Sequence, residues 1–222
     1  MANDKSILIL GASRGIGLGL AEEFERRGWR VIASERGRSD ALHALSGVEV
    51  VTADVTDPAS YADLGLADGS LDVVLVNAGI SGARHQSADQ ATPEEVAEVM
   101  MTNAFGPARA ARTLLPTLKD GGTLAFMSSL MGSVADSSGG YELYRSSKAA
   151  QNMLAKGIAE QDAKARDIAV LSLHPGWVQT DMGGPGATLT VAQSVQGLAD
   201  VIEGAGGAGY RFVDYAGKTL PF

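Results

Sequence analysis

Two side chains of the sequence, Tyr144 and Lys148, are spaced for proton-transfer chemistry. Tyr144 is the only one of the five tyrosines that has a lysine four residues later. On a helix, two side chains at this spacing lie on the same face. An ammonium group close to a phenol stabilises the phenolate, and it thereby moves the phenol pKa from about 10 toward the range of a useful general acid or base. A surface pair on an amphipathic helix has the same spacing, so the pair alone leaves both interpretations open.

A glycine-rich segment near the start of the chain is typical of a phosphate-binding turn. Gly11, Gly15 and Gly17 have the spacing G-x-x-x-G-x-G, and they lie between an apolar run and a helical pattern. Glycines let the backbone approach a pyrophosphate, and the free N–H groups at a helix N terminus bind its negative charge. A turn that only packs the helix on the sheet would also contain glycines. The position of the segment between a strand and a helix favours the dinucleotide site.

The elements that must position these residues alternate along the chain. Short apolar runs predict seven strands, at residues 6–10, 30–34, 48–53, 71–76, 123–128, 169–173 and 211–213. Helical patterns between them predict helices at residues 15–27, 41–45, 93–118, 146–161 and 191–203. Several strands are apolar on consecutive residues, as parallel strands covered on both faces must be.

This alternation predicts an α/β fold of the Rossmann type. We expect one domain, residues 1–222, with a doubly wound parallel sheet of about seven strands and helices on both faces. Its dinucleotide-binding part would be about residues 1–120, and its catalytic and substrate part about residues 121–222. Residues that could bind a ligand follow four of the later strands: Asp54, Asn77 to Gly79, Ser128 with Ser129, and Pro175 with Gly176. Ligands of such sheets bind outside the carboxyl ends of the strands.

Composition excludes several other classes of function. The net charge of −8 argues against a nucleic-acid or anionic-membrane surface. The chain has no cysteine, which rules out disulfides, iron–sulfur clusters and thiolate zinc sites, and its three histidines lack the spacing of metal ligands. No apolar run reaches the length of a membrane helix, and the first run of four residues is too short for a signal peptide. We therefore expect a cytoplasmic protein without a metal.

The glycine-rich turn, Ser129, Tyr144 and Lys148 together resemble the short-chain dehydrogenase/reductase family over essentially the whole chain. Residues 144–150, 173–181 and 212–218 are most similar to its C-factor-like, sniffer-type carbonyl reductase branch. Two positions depart from the family pattern. Leu10 stands before the first glycine, where the family usually has threonine. The spacing of fifteen residues between Ser129 and Tyr144 is about two residues longer than in most members.

The resemblance implies a catalytic set and a cofactor site. Tyr144 would protonate the substrate oxygen, Ser129 would bind that oxygen, and Lys148 would lower the Tyr144 pKa and bind the cofactor ribose. The backbone carbonyl of Asn103 would hold a water of a proton relay. The cofactor-binding residues implied are Gly11, Ser13, Arg14, Gly15, Ile16, Gly17, Glu35, Arg36, Asp54, Val55, Asn77, Ala78, Gly79, Tyr144, Lys148, Pro175, Gly176, Val178 and Thr180.

Two of these assignments have a further physical argument in the sequence. Pro107 has no N–H group, so the carbonyl of Asn103, four residues earlier, loses its helical partner. An ordinary proline kink would look the same. Tyr141 is also near the family spacing from Ser129, but four residues after it stands Arg145, and arginine cannot replace lysine in this role. Tyr144 is therefore the predicted catalytic tyrosine.

The implied activity is reversible hydride transfer between NAD(P)H and a carbonyl compound or secondary alcohol, as in an NADPH-dependent carbonyl reductase. In the family, basic residues at the positions of Arg14 and Arg36 bind the 2′-phosphate, so NADP(H) is favoured. Glu35 stands where a carboxylate can bind the ribose 2′-hydroxyl, so NAD(H) stays possible. In the family Asp54 would bind the adenine amino group and Thr180 the nicotinamide amide.

Partners follow from the same resemblance. The family implies a small-molecule carbonyl or alcohol substrate, neither nucleic acid nor membrane as a partner, and a homodimer or homotetramer. The alternative is a dinucleotide-sensing or signalling protein of the same fold without turnover, because a fold does not determine a function. The presence of the complete catalytic set favours the enzyme.

Overall fold

The computed structural model describes residues 4–222, which contain one parallel sheet of seven strands. In chain order these are β1 (Ser6–Leu10), β2 (Arg30–Glu35), β3 (Val48–Thr52), β4 (Leu71–Val76), β5 (Leu118–Met127), β6 (Ala169–His174) and β7 (Gly209–Asp214). Their order across the sheet is β3-β2-β1-β4-β5-β6-β7, and every neighbouring pair is parallel. The order changes direction between β1 and β4, which is where sheets of this kind bind ligands.

Helices cover both faces of this sheet. They are α1 (Gly15–Arg26), α2 (Asp40–His43), α3 (Ala59–Ala62), α4 (Pro93–Met100), α5 (Gly106–Leu114), α6 (Glu142–Ile158) and α7 (Val191–Glu203). One core joins Val74 and Phe126 of the sheet to Ile158 of α6, and the other joins Leu75 to Leu20 of α1 and to Leu198 of α7. Because successive strand residues point to opposite faces, each central strand contributes to both cores. The predicted doubly wound fold is confirmed.

The short helix α3 was not predicted, several ends differ by one or two residues, and three further elements differ more substantially. The predicted helix 93–118 is α4 and α5 joined by a π-helical turn, Met101–Phe105, and followed by a 3-10 turn, Leu115–Thr117. Strand β5 begins at Leu118, which pairs with Leu71 before the register shifts, so residues with turn-like sequence join the sheet. Helix α6 begins at Glu142 instead of residue 146. For β5 and α6, contacts distant in sequence decide the boundary.

Residues 1–3, which the sequence assigned to the same domain, lie outside the described residues. None of the helices between residues 4 and 222 is both long and apolar enough to cross a bilayer. Within the same residues, no cluster of three or more histidine, aspartate or glutamate side chains is arranged to hold a metal ion.

Candidate active site

The glycine-rich turn connects β1 to α1 at the carboxyl edge of the sheet. The Gly11 N–H donates to Ser34 Oγ at 2.9 Å, and Asn77 Nδ2 donates to the Gly11 carbonyl oxygen at 2.6 Å. A Cβ atom on Gly17 would lie 2.1 Å from that carbonyl oxygen, so only glycine lets α1 pack this closely on the turn. Arg14, the N-cap of α1, makes no side-chain cap hydrogen bond within the described chain. The first N–H groups of α1 therefore remain for an anion.

A cleft of about 280 Å³ opens from this turn and runs along the carboxyl edge of the sheet. Most of the predicted cofactor residues line it: Gly11, Ser13, Arg14, Gly15, Ile16, Arg36, Asp54, Val55, Asn77, Ala78, Gly79, Tyr144, Lys148, Pro175 and Thr180. The structure thus brings together segments that are up to about 170 residues apart in the chain. This convergence is the arrangement that a bound dinucleotide requires.

Four predicted cofactor residues do not line the cleft in the described structure. Gly17 and Gly176 serve packing instead, since a Cβ atom on Gly176 would lie 2.3 Å from Leu189 Cδ1. Val178 forms an isolated β-bridge with Leu189. Glu35, the fourth, is turned into the protein. Contact of these four residues with a cofactor stays a prediction.

The cleft also has lining residues that the sequence analysis missed as cofactor neighbours. They are Ala53, Ile80, Thr102, Met127, Ser128, Asp181 and Met182. All but Thr102 and Met182 stand next to a predicted cofactor residue or to a strand end, so the position of the strand ends could have identified these five. Thr102 lies in the π-helical turn, and that turn has no recognisable signal in the sequence.

The carboxylate of Glu35 is bound inside the protein and is not presented to the cleft. Its Oε1 lies 2.8 Å from His43 Nε2, and its Oε2 accepts a hydrogen bond of 2.6 Å from the Ser39 N–H. The hydrogen bond with His43 lowers the pKa of Glu35 below its ordinary value, and Glu35 is only 7% exposed. Arg38 pairs with Asp40 instead. A carboxylate that is buried with these partners, and that does not line the cleft, is not presented to a ribose hydroxyl.

Two arginines stand at the rim of the cleft. Arg14 Nη1 lies 3.0 Å from Asp181 Oδ2, and Arg36 Nη1 lies 3.7 Å from Asp54 Oδ2. Both guanidinium groups are largely exposed to solvent, where such ion pairs contribute little free energy. Both can therefore turn to an anionic ligand at small cost, and a guanidinium group suits a phosphate well.

Tyr144 and Lys148 lie on the first two turns of α6 and both line the cleft. Lys148 Nζ is 5.8 Å from the centre of the Tyr144 ring, and it donates hydrogen bonds to the Met127 carbonyl oxygen at 2.7 Å and to Gln151 Oε1 at 3.2 Å. Ser129 follows β5, where its Oγ accepts from the Met131 N–H at 3.1 Å. Ser129 is not among the described residues that line the cleft, although its neighbour Ser128 is, and its side chain lies beside the Tyr144 phenol. The catalytic roles of the three residues stay predictions.

The alternative tyrosine occupies a different environment. Tyr141 is 62% exposed and is not among the described residues that line the cleft. It has a left-handed backbone, with φ of 51°, just before α6. These positions favour Tyr144 over Tyr141 as the tyrosine that meets a ligand.

Burial shifts the pKa values of Tyr144 and Lys148 in the directions that favour their neutral forms. It raises the pKa of Tyr144 to about 12, and the Ser129 side chain beside the phenol acts in the opposite direction. It lowers the pKa of Lys148 to about 7. The expected lowering of the Tyr144 pKa is therefore absent from the cofactor-free protein, where burial raises this pKa and only Ser129 lowers it. An anionic ligand beside Lys148 would favour its protonated form again.

Asn103 connects the end of β4 to α6. It is fully buried in the π-helical turn, where its Oδ1 accepts from the Ile80 N–H at 2.8 Å. Its Nδ2 donates to the Ile80 carbonyl oxygen at 2.8 Å and to Ser147 Oγ at 2.9 Å. The Gly106 N–H bonds the Met101 carbonyl, five residues earlier. The helix therefore widens already before Pro107, and the relay role of the Asn103 carbonyl stays a prediction.

We expect Lys148→Met to stabilise the cofactor-free protein, and to do so more at pH 6 than at pH 9. The pKa of Lys148 is about 7 in the folded protein, against an ordinary value of 10.5. The free-energy cost of burying its ammonium group is therefore greatest below pH 7. It declines as pH rises toward 10.5, because the folded state then holds a neutral amine. The melting temperature gained by the substitution should be at least about 3 °C larger at pH 6 than at pH 9. For a chain of this size, that difference corresponds to roughly 1 kcal/mol in the free energy of unfolding. Thermal melts at both pH values test this.

The matched control for that experiment is Lys156→Met, on the same helix but exposed. Its effect on the melting temperature should be the same at pH 6 and pH 9. An equal effect of Lys148→Met at the two pH values would show that buried Lys148 is charged throughout this range.

The fold and the cleft define the chain as an α/β protein of the Rossmann type. A sequence model of the family described as short chain dehydrogenase matches residues 5–188. The chain therefore belongs to the short-chain dehydrogenase/reductase family and is an oxidoreductase, as its motifs indicated.

Individual relatives agree with this assignment. C-signal of Myxococcus xanthus is 40% identical over 158 residues, which are 69% of this chain and 94% of that protein. A carbonyl reductase from Pseudomonas aeruginosa PAO1, solved in complex with NADP, is 40% identical with a TM-score of 0.90, covering 98% of this chain and 99% of that one. The carbonyl reductase Sniffer of D. melanogaster is 29% identical with a TM-score of 0.89 and the same coverage. The predicted resemblance to the sniffer-type branch is confirmed.

Proposed function

We propose that the protein is an NADPH-dependent carbonyl reductase, which transfers a hydride reversibly between NADP(H) and a small carbonyl compound or secondary alcohol. The observation that carries this proposal is the cleft itself. It has free helix N–H groups and two exposed arginines at one end, and Tyr144 with Lys148 at the other. Such an arrangement suits a phosphorylated dinucleotide with its reactive end against a proton donor.

The choice of NADP(H) rests on the charges around β2. Glu35, which would select NAD(H), is bound by His43 and Ser39. Arg14 and Arg36 remain at the rim, where they would hold a 2′-phosphate between them. The carbonyl reductase from Pseudomonas aeruginosa, similar over nearly the whole chain, was solved in complex with NADP. These observations support NADP(H), with NAD(H) the less favoured possibility.

Other residues of the cleft would hold the rest of the cofactor. The first N–H groups of α1 would bind the pyrophosphate, Asp54 the adenine amino group, and Thr180 the nicotinamide amide. Asp54 Oδ1 already accepts from the N–H and the hydroxyl of Thr56, both at 2.8 Å, so Oδ2 is the oxygen that would bind a ligand once Arg36, 3.7 Å away, turns to the 2′-phosphate. Gly79 leaves space beside Lys148, since a Cβ atom there would lie 3.5 Å from its Nζ.

The residues at the reactive end would manage the proton. The nicotinamide supplies or accepts the hydride when it is bound. Tyr144, with its pKa raised to about 12, holds a proton that it can donate to a substrate carbonyl oxygen. Ser129 would bind the same oxygen. Lys148 donates two N–H groups to the Met127 carbonyl oxygen and Gln151 Oε1, which leaves one N–H of the ammonium group. That N–H can donate to a ribose hydroxyl or to the water of a relay at Asn103, one at a time.

The partner we propose is therefore a small molecule, and we further propose a homodimer or homotetramer. Exposed apolar side chains on two long helical segments, Phe105 and Met153, support self-association. The cytoplasmic location is a prediction of the sequence alone, as is the organisation as a single domain.

The experiment that tests the proposed function is a panel of aldehydes, ketones and quinones, assayed separately with NADPH and NADH. We expect carbonyl-dependent oxidation of NADPH, with a lower KM for NADPH than for NADH. Saturable binding of NADPH without turnover of any substrate would instead support the dinucleotide-sensing alternative.

A further inference from the structure

Helix α6, which carries Tyr144, begins without a cap of its own. The residue at its N-cap position, Tyr141, makes no side-chain cap hydrogen bond within residues 4–222. The preceding Gly139 and Gly140 have positive φ angles of 81° and 69° and offer no side chains. The first N–H groups of a helix need acceptors, so those of α6 must find them elsewhere in the protein.

Gln86, in the loop between β4 and α4, supplies two of these acceptors. Its backbone carbonyl oxygen accepts from the Glu142 N–H at 2.9 Å, and its side-chain Oε1 accepts from the Tyr144 N–H at 3.1 Å. In return, Glu142 Oε2 accepts from the Ala88 N–H at 2.6 Å. This exchange resembles a capping box, but the side chain that accepts in return belongs to the first helical residue and not to the third, and the two halves come from segments 54 to 58 residues apart.

The side chain of Gln86 is itself held in one orientation. Its Nε2 donates to the carbonyl oxygens of Ser81 at 2.7 Å and Ala83 at 2.6 Å. These two bonds leave Oε1 as the atom that faces α6. The backbone of Gln86 is left-handed, with φ of 56°, which is uncommon for a residue other than glycine. The surrounding hydrogen bonds maintain this conformation.

We propose that Gln86 is a positioning residue for Tyr144. Gln86 is not among the described residues that line the cleft, so it acts through the backbone of Tyr144 and not on a ligand. The phenol lies on the first turn of α6, where helices fray most easily. The exposed, glycine-rich segment before α6 gives that turn little support. A displacement of a catalytic group by about 1 Å can cost two orders of magnitude in rate. The inference rests on the proposed role of Tyr144 in catalysis.

Gln86→Met tests the proposal, because methionine keeps the length of the side chain and removes all three amide hydrogen bonds. We expect kcat to fall about tenfold or more, with the KM for NADPH changed less than about twofold. Amide hydrogen exchange at residues 142–146 should become faster by at least about tenfold, as measured by mass spectrometry of the cofactor-free protein. Gln86→Glu keeps the acceptor but loses the two donors, and its kcat should lie between those of the wild type and Gln86→Met.

Thr92→Ala is the matched control. In the wild type, Thr92 Oγ1 accepts a hydrogen bond from the Glu95 N–H at 3.2 Å. The substitution therefore removes a side-chain cap of the same kind, at the end of the same loop. In the described part of the chain its hydrogen bonds stay within α4. We expect a similar loss of thermal stability but an unchanged kcat and unchanged exchange in α6, with all assays run well below the melting temperatures.

Each possible result of this experiment has a different meaning for the proposal. Unchanged exchange in Gln86→Met would show that Gln86 does not hold α6, and faster exchange with wild-type kcat would show a cap without a positioning role. Either result overturns the proposal. If Gln86→Met does not fold, Glu142→Ala breaks the reciprocal bond to Ala88 from the other side, and its kcat should fall severalfold. A wild type that turns over no carbonyl compound would contradict the proposed function, whereas the exchange experiment would still decide whether Gln86 caps α6.

Discussion

Tyr144→Phe is expected to lower kcat at least about a hundredfold while the protein still binds NADPH. The substitution removes the hydroxyl that would donate the proton and keeps the ring that lines the cleft, so it would delete the proposed general acid without disturbing the cofactor residues. The measurements are steady-state kinetics with a carbonyl substrate and a titration of NADPH binding.

Tyr141→Phe is the control for this experiment. Tyr141 lies three residues before Tyr144 but is exposed and stands away from the lining of the cleft. Its variant should keep nearly full activity. If Tyr141→Phe were inactive and Tyr144→Phe active, the assignment of the catalytic tyrosine would be wrong.

The second large effect is expected for cofactor choice, in the double variant Arg14→Ala, Arg36→Ala. We expect the KM for NADPH to rise about tenfold or more and the KM for NADH to stay nearly unchanged. The two guanidinium groups would bind the 2′-phosphate through charge-assisted hydrogen bonds, and NADH lacks that phosphate. Initial rates at varied concentrations of each cofactor measure the effect.

Two variants at the same end of the protein control for nonspecific changes in charge. Arg38→Ala removes an exposed arginine that pairs with Asp40 and is not among the described residues of the cleft. It should leave both KM values unchanged. Glu35→Gln should also leave the KM for NADH unchanged, because His43 and Ser39 already occupy its carboxylate. A wild type that prefers NADH would contradict this account of cofactor selection.

The local sequence was sufficient to predict where some strands and helices begin and end. Strands β1 and β4 and helix α7 begin and end at the predicted residues, because continuous apolar runs and a capping box at Thr190 define them. The start of α6 could not be predicted in this way. The acceptors for its first N–H groups come from Gln86, and only the folded chain brings that residue next to the helix.

In the candidate site, too, some features could be predicted from the sequence and others depend on the tertiary structure. The sequence by itself determined which residue types follow each strand: the glycine-rich turn, Ser129, and the pair Tyr144 and Lys148. It could place them at one edge of the sheet, because parallel strands put their carboxyl ends together. The pKa values of Tyr144 and Lys148 were decided by tertiary structure, because burial depends on every segment packed around them. The orientation of Glu35 was decided in the same way, since a hydrogen bond to His43 forms only when β2 and α2 have packed together.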